Sequence, residues 1–134
     1  MFKQNLLATI AVFITCTIID FLTHGTLLVE TYQATAHLWR PEQDMNSALM
    51  SGVTLIYSFC FVALYQYFVN PKSLCTGVKF GALFGLAAGV VGGVGSYVYL
   101  PISLQLAGCW FAISLVELTA AGAIVAYLVR DVRE

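Results

Sequence analysis

Charged residues are scarce in this sequence. Its 134 residues include six Lys and Arg and seven Asp and Glu, so only 10% are charged, whereas about 25% is usual in soluble domains. So few charges cannot cover the surface that a domain of this length leaves in contact with water. A nucleic-acid-binding surface would need more basic residues. The composition therefore excludes a soluble enzyme, a disordered segment and a protein that binds nucleic acid.

Patterns typical of disulfide frameworks and zinc sites are also missing. The chain has four cysteines, and no two of them form a C-x-x-C pair. Cys16, Cys60 and Cys109 lie inside apolar runs, where a cysteine behaves as a small apolar residue. We therefore predict no disulfide framework, no metal site and no cofactor.

Apolar residues, in contrast, are abundant. They make up 60% of the chain, and the mean hydropathy is +0.85. A helix crosses the roughly 30 Å hydrocarbon layer of a membrane with about 20 residues. Four apolar runs reach this length, at residues 6–29, 47–69, 78–100 and 102–129. The sequence predicts an all-α fold, a polytopic membrane protein whose single domain is a four-transmembrane-helix bundle in the lipid bilayer.

The distribution of basic residues predicts the orientation of these spans. With four spans, both termini and the middle loop lie on one side of the membrane. The basic residues of that side are Lys3, Lys72, Lys79, Arg130 and Arg133, whereas the opposite side has only Arg40. Basic residues concentrate in cytoplasmic segments. We therefore expect a bacterial inner-membrane protein with both termini in the cytoplasm.

A glycine stripe runs along the third span. Its members recur every four residues and are Gly77, Gly81, Gly85, Gly89 and Gly93. This spacing places them on one face of a helix, and glycine allows helices to approach closely in lipid. The stripe predicts tight helix packing, either within the chain or in a homo-oligomer or larger complex. The surface expected to receive it within the chain is on the fourth span, at Gly108, Ala112, Thr119, Ala123 and Ala126.

Three ionisable residues lie inside the predicted spans. They are Asp20, His24 and Glu117, and a charge at the centre of a span costs about 2.5–3.5 kcal/mol on insertion scales. The two acids are expected at similar depth, and His24 lies one helical turn from Asp20. Tyr57 and Ser58 of the second span pass the same level. We predict one intramembrane polar cluster formed by these five residues.

Four roles are open for this cluster. It could brace the bundle through hydrogen bonds, carry protons or cations, ligate a metal or haem, or catalyse a reaction on a membrane-embedded substrate. No second histidine lies inside a span, which weakens the metal alternative. On the first span, we expect Thr17, Asp20, His24 and Thr31 to form a polar stripe along one helix face.

A second group of polar and aromatic residues follows the first span. Its members are Glu30, Tyr32, His37, Trp39, Arg40, Glu42 and Asp44, and the candidate docking residues among them are Glu30, His37, Trp39 and Arg40. No residue between Gly25 and Pro41 breaks a helix, so we expect the first helix to continue through Leu38. Trp39 and Arg40 are typical of an anchor at the lipid headgroups. The alternative is a docking surface for a partner, or a lid over the polar cluster.

Two segments resemble a known class of protein. The first contains Asp20-x-x-x-His24-Gly25 and ends in Leu38-Trp39-Arg40-Pro41, and the second runs from Trp110 through Glu117 to Gly122. Together they resemble the first and last helices of small four-helix bacterial integral membrane proteins that have no assigned activity. The resemblance implies a small polytopic inner-membrane protein and no particular chemistry.

Two functions are compatible with these features. The leading hypothesis is a non-enzymatic accessory protein or subunit that packs through its glycine-rich helix against itself or a larger membrane complex. The alternative is a small proton- or cation-coupled transporter that uses Asp20, His24 and Glu117. An enzyme is the least supported class, because the sequence shows no nucleophile–base pair.

Overall fold

A computed structural model describes residues 2–129, which contain helices and no strand. Four long helices are α1 (Phe2–Leu27), α3 (Ser47–Phe68), α4 (Leu74–Tyr99) and α5 (Leu104–Leu128), and the short helix α2 (Val29–Ala34) follows α1. Each long helix is long and apolar enough to cross a membrane. This part of the prediction is confirmed, and each helix end lies within four residues of the corresponding predicted end.

Local chemistry sets the ends of the long helices. Polar side chains cap three N-termini, where Asn46, Ser73 and Ser103 accept hydrogen bonds from the backbone N–H of Leu49, Thr76 and Leu106. Such caps satisfy a backbone donor that the helix itself leaves free. Before Pro101, Leu100 adopts an extended conformation with φ −104° and ψ 139°, because proline disfavours a helical residue before it.

Two of the long helices contain a π-helical turn. It covers Thr23–Leu27 in α1 and Val90–Val94 in α4. In α1 the carbonyl of Thr23 accepts from the N–H of Leu28 at 2.9 Å. A π turn inserts an extra residue and rotates everything that follows it.

The π turn corrects the expectation of one continuous helix through Leu38. After the π turn the chain leaves helical geometry at Leu28, forms α2, and turns again at Thr35 into a short 3-10 helix, Ala36–Leu38. The wider turn changes the direction of the chain at Leu28, and the sequence contains no proline there to signal it.

Two hydrophobic clusters fill the bundle, one towards each end. We call the end where α1 begins and α5 ends the inner end, and the opposite one the outer end. The inner cluster joins α1, α3 and α5 and consists of Ala8, Val12, Cys16, Phe61, Val62, Tyr65, Leu118, Ala121, Val125, Ala126 and Val129. The outer cluster is built on Leu28, Ile102, Leu106 and Ala107.

The glycine stripe packs α4 directly against α5. All five glycines are buried. A Cβ atom added at Gly85 would lie 2.7 Å from the Ser114 carbonyl oxygen, and one at Gly93 would lie 2.6 Å from the Phe111 nitrogen. These distances are too short for real contacts, so the two backbones touch and no side chain fits between them.

The stripe contacts a different face of α5 from the expected one. Its nearest neighbours are Ala107, Phe111, Ser114, Leu115, Leu118, Gly122 and Ala126. Ala126 is the one member of the expected surface among them, and a Cβ at Gly108 would meet nothing within 4 Å. The reason is that Trp110 donates a hydrogen bond to Tyr32 of α2 and Glu117 faces Cys16 of α1, and this rotation turns Gly108 away from α4.

Aromatic side chains pack α4 against α3. The ring centroids of Phe61 and Phe80 are 4.9 Å apart, and those of Phe61 and Phe84 are 5.5 Å apart in an edge-to-face arrangement. Tyr65 and Tyr57 extend the contact at 5.7 and 6.2 Å from Phe80 and Phe84. Helix α4 thus presents glycines to one neighbour and phenylalanines to the other.

Candidate functional site

A line of hydrogen-bonded side chains connects α1, α2 and α5 in the outer half of the bundle. The indole N–H of Trp110 donates to the Tyr32 hydroxyl at 2.9 Å, and this hydroxyl lies 2.6 Å from Nδ1 of His24. Nε2 of His24 faces Oδ1 of Asp20 at 3.9 Å. When the Tyr32 hydroxyl donates to Nδ1, the imidazole proton is on Nε2, the nitrogen that faces the carboxylate.

The π turn creates the alignment of His24 with Tyr32. Eight residues separate them, which would place them about 80° apart around a straight α-helix. One inserted residue reduces this angle to roughly 20°, and Leu28, whose φ of −101° and ψ of 4° are not helical, sets the remaining direction of α2. Tyr32 therefore occupies the place on the polar stripe that a straight helix gives to Thr31. In the sequence, Gly25 and Thr26 are the residues that could have indicated a local break in the helix, and both lie inside the π turn. The Thr26 hydroxyl donates to the carbonyl of Leu22.

Glu117 of α5 lies near this line, towards the middle of the bundle. Its carboxylate lies beside the Cys16 thiol and interacts electrostatically with Asp20 and Tyr57. Cys16 is buried, and its place in the cluster was missed because a lone cysteine in an apolar run looks like a packing residue. The structure thus gathers polar groups from α1, α3 and α5.

Ser58 does not join this group. Its side chain is fully buried, and its hydroxyl donates to the carbonyl of Thr54 at 2.8 Å, one turn earlier in α3. Tyr57, by contrast, is partly exposed. Serine and threonine hydroxyls commonly satisfy themselves in this way within apolar helices, so their presence in a span indicates little about a site.

Asp20 and His24 are open to the side of the bundle. Their side chains are 42% and 41% exposed. Among residues 2–129, no side chain or backbone group donates a hydrogen bond to Asp20 within normal distance, and the nearest basic side chain is His24. The carboxylate can therefore accept a donor that approaches from outside the bundle.

Within residues 2–129, the cluster has no polar continuation towards the inner end. Below Glu117 the space between the helices is filled by the inner hydrophobic cluster, with Val12, Leu118 and Val125 all at most 3% exposed. Buried Thr9 donates to the backbone carbonyl of Asn5. The polar line therefore occupies the outer half only.

A small cavity lies elsewhere, between α1 and α3 near the inner end. Its volume is about 50 Å³, and it is lined by Asn5, Thr9, Phe59, Val62, Ala63 and Tyr67. The Asn5 Oδ1 atom is buried, and no hydrogen bond reaches it within the described part of the chain. The space suits one or a few water molecules, and it is too small for an organic substrate.

The segment after α1 folds back onto the bundle through its aromatic residues. The indole N–H of Trp39 donates to Thr35 at 2.9 Å, and its ring lies 5.6 Å from Tyr32 and 6.1 Å from Trp110. Burial raises the pKa of the Tyr32 phenol, which keeps this hydroxyl protonated. Glu30, His37 and Arg40 are exposed at the outer end.

The arrangement can hold protons and accept hydrogen bonds. Across residues 2–129, no three His, Cys, Asp or Glu side chains are grouped in a way that could hold a metal ion. The side chains that could act chemically are Asp20, His24 and Glu117, and they form an interacting series from the exposed face of α1 to the interior.

Comparisons with known proteins add no assignment. The chain matches no protein-family model, no curated protein and no solved structure. The resemblance to small four-helix bacterial membrane proteins therefore stays an expectation, and the function has to be inferred from the site itself.

Proposed function

We propose that this chain is a multi-pass membrane protein and a non-catalytic subunit of a larger membrane complex. It contacts its neighbour through the α1 polar face, by which we mean Thr17, Asp20, Phe21 and His24. The observation that carries this proposal is the half-exposed Asp20–His24 pair on a membrane-length helix.

The cost of exposing these groups to lipid supports the proposal. Asp20 lies seven residues before the end of α1 at Leu27, which is roughly 10 Å along the helix axis. Ionisable residues at such depth normally face a protein interior or a watery cavity, because lipid neither pairs nor hydrates them. A neighbouring protein over the α1 polar face would remove this exposure.

The glycine stripe is already occupied. Its five members are buried against α5, so the stripe has no free surface for a second protein. The proposal therefore keeps the role of a subunit but places the external contact on α1 instead of the glycine-rich helix.

The charge distribution supports a bacterial inner-membrane location with both termini in the cytoplasm. Lys3 and Lys79 lie in the first two turns of α1 and α4 at the inner end, Lys72 lies between α3 and α4, and Arg40 follows α1 at the outer end. Arg130 and Arg133, which contribute to the same prediction, lie outside the described residues. Basic residues favour the cytoplasmic side.

Native mass spectrometry from mild detergent tests the subunit proposal. We expect the wild-type chain to appear with a stoichiometric partner protein. The Asp20→Asn variant should lose that partner, whereas Glu30→Gln, which changes an exposed acid outside α1, should retain it. A wild-type chain found only as a monomer would contradict the proposal.

Proton-coupled transport is the second candidate function. The series from Tyr32 through His24 and Asp20 to Glu117 favours it, because such chains of acids and histidine carry protons in pumps and transporters. The apolar inner cluster counts against a complete path within one chain. Proton flux into liposomes that contain the purified protein, compared with the Asp20→Asn and Glu117→Gln double variant, would distinguish the two functions.

A further inference from the structure

The Asp20 carboxylate lacks a full partner. The nearest basic nitrogen, Nε2 of His24, is 3.9 Å from its Oδ1, beyond hydrogen-bond distance, and Nδ1 of the same ring already contacts the Tyr32 hydroxyl. Glu117 adds a second acid that interacts with Asp20. The site therefore has two carboxylates and one histidine, with Asp20 half-exposed to the side.

We propose that a Lys or Arg side chain, carried by a membrane-spanning helix of another protein, pairs with Asp20 on the α1 polar face. This inference rests on the proposed subunit function and specifies the chemistry of the partner. Acids inside membranes pair with bases, and a cationic donor would satisfy the lone pairs that His24 leaves open.

Within the described residues, a second copy of the chain in the same orientation has no Lys or Arg inside a long helix at the depth of Asp20, and its exposed Arg40 lies beyond the outer end of α1. The basic residues within the long helices, other than His24, are Lys3 and Lys79. Both lie within the first turns of α1 and α4 at the inner end, and Lys3 is 17 residues before Asp20, about 25 Å along the helix. The partner must therefore be a different protein with a basic residue in the outer half of its helix.

Synthetic transmembrane peptides test this pairing directly. The probe is a Leu- and Ala-rich peptide of about 21 residues with one Lys placed seven residues from the outer end, and the control peptide has Leu at that position. Energy transfer between labelled peptide and labelled full-length protein in liposomes measures binding. We expect the Lys peptide to bind about tenfold more tightly than the Leu peptide.

Variants of the protein complete the test. Asp20→Asn should abolish the preference for the Lys peptide, Asp20→Glu should retain it, and Glu117→Gln should weaken it. Equal binding of both peptides to the wild-type protein would overturn the inference. Energy transfer between differently labelled copies of the protein, together with no binding of the Lys peptide, would also overturn it. The Lys-to-Leu comparison leaves the protein unchanged, so a variant that fails to fold does not spoil the test.

Failure here is distinguishable from failure of the proposed function. A partner protein in native mass spectra, combined with equal binding of both peptides, would keep the subunit role and refute the pairing with a basic residue. A monomeric chain in native mass spectra would refute the subunit role itself.

Discussion

Helix α5 forms two very different interfaces. Against α4 it meets a glycine stripe, and the backbones touch without an intervening side chain. Against α1 and α2 it contributes Glu117 and Trp110 to a group of polar side chains, one of which, Asp20, is 42% exposed. The first interface is complete within the chain, whereas the second ends in a group that needs something from outside. An interface whose groups are all satisfied within the chain stabilises the fold, whereas one that leaves a polar group unsatisfied is suited to contact with a partner.

Enlarging a glycine in the complete interface should have the largest effect on stability. A Cβ at Gly81 would overlap the Leu118 carbonyl oxygen, and this backbone atom cannot move aside without separating the helices. We expect Gly81→Val to lower the free energy of unfolding by about 3 kcal/mol or more, measured by SDS titration in detergent micelles.

Gly92 on the same helix provides the matched control. A Cβ there would meet nothing within 4 Å, so Gly92→Val should change stability by less than about 1 kcal/mol. Similar losses at the two positions would mean that glycine acts through helix propensity and not through close packing.

Trimming the aromatic contact between α3 and α4 should have a smaller effect. Phe61 is 1% exposed and contacts Phe80 and Phe84. Because lipid is as apolar as the bundle interior, Phe61→Ala forfeits mainly dispersion contacts, and we expect a loss of about 1–2 kcal/mol. If Phe61→Ala lowered the free energy of unfolding more than Gly81→Val in the same titration, the contact of α4 with α3 would matter more for stability than its contact with α5.

Breaking the polar interface should lower the free energy of unfolding by a still smaller amount. Tyr32→Phe removes the hydroxyl that accepts from Trp110 and faces His24. Hydrogen bonds between membrane helices contribute about 0.6–2 kcal/mol each, so we expect a loss of about 1 kcal/mol. A change in the tryptophan emission should accompany it, because Trp110 loses its acceptor. An unchanged spectrum and stability would show that this line does not join α1 to α5.

The outward face of α5 should tolerate substitution best. Gly108 is open, whereas a Cβ at Gly122 on the same helix would overlap the Gly77 carbonyl oxygen. We expect Gly108→Ala to be neutral or to stabilise the chain by up to about 1 kcal/mol, and Gly122→Ala to destabilise it. The pair is measured in the same SDS titration, and destabilisation by Gly108→Ala would mean that this face is packed after all.

The sequence predicts the long helices well because a run of some 20 apolar residues can adopt few other stable conformations. The glycine periodicity also predicts close packing. It does not predict which face of α5 receives the stripe, because that depends on the rotation of α5, which Trp110 and Glu117 influence from the other side.

The main difference between the predicted and the observed site arises because the prediction assumes that the first helix is straight. The sequence identifies Asp20, His24 and Glu117 as site candidates because ionisable residues are energetically costly in an apolar run. It does not identify Tyr32 and Cys16 as members of the same site. Tyr32 reaches His24 only through the π turn, and Cys16 looks like a packing residue until Glu117 is seen beside it. Ser58 illustrates the opposite error, because its hydroxyl is satisfied by its own helix.

Photo-cross-linking in the native membrane tests most directly whether the α1 polar face contacts another protein. A photoreactive phenylalanine analogue would replace Phe21, which is 66% exposed beside Asp20, or Phe59, which is 61% exposed on α3. We expect a protein adduct at position 21, lost in Asp20→Asn, and lipid adducts alone at position 59. Lipid adducts alone at both positions would contradict a protein contact on the α1 polar face.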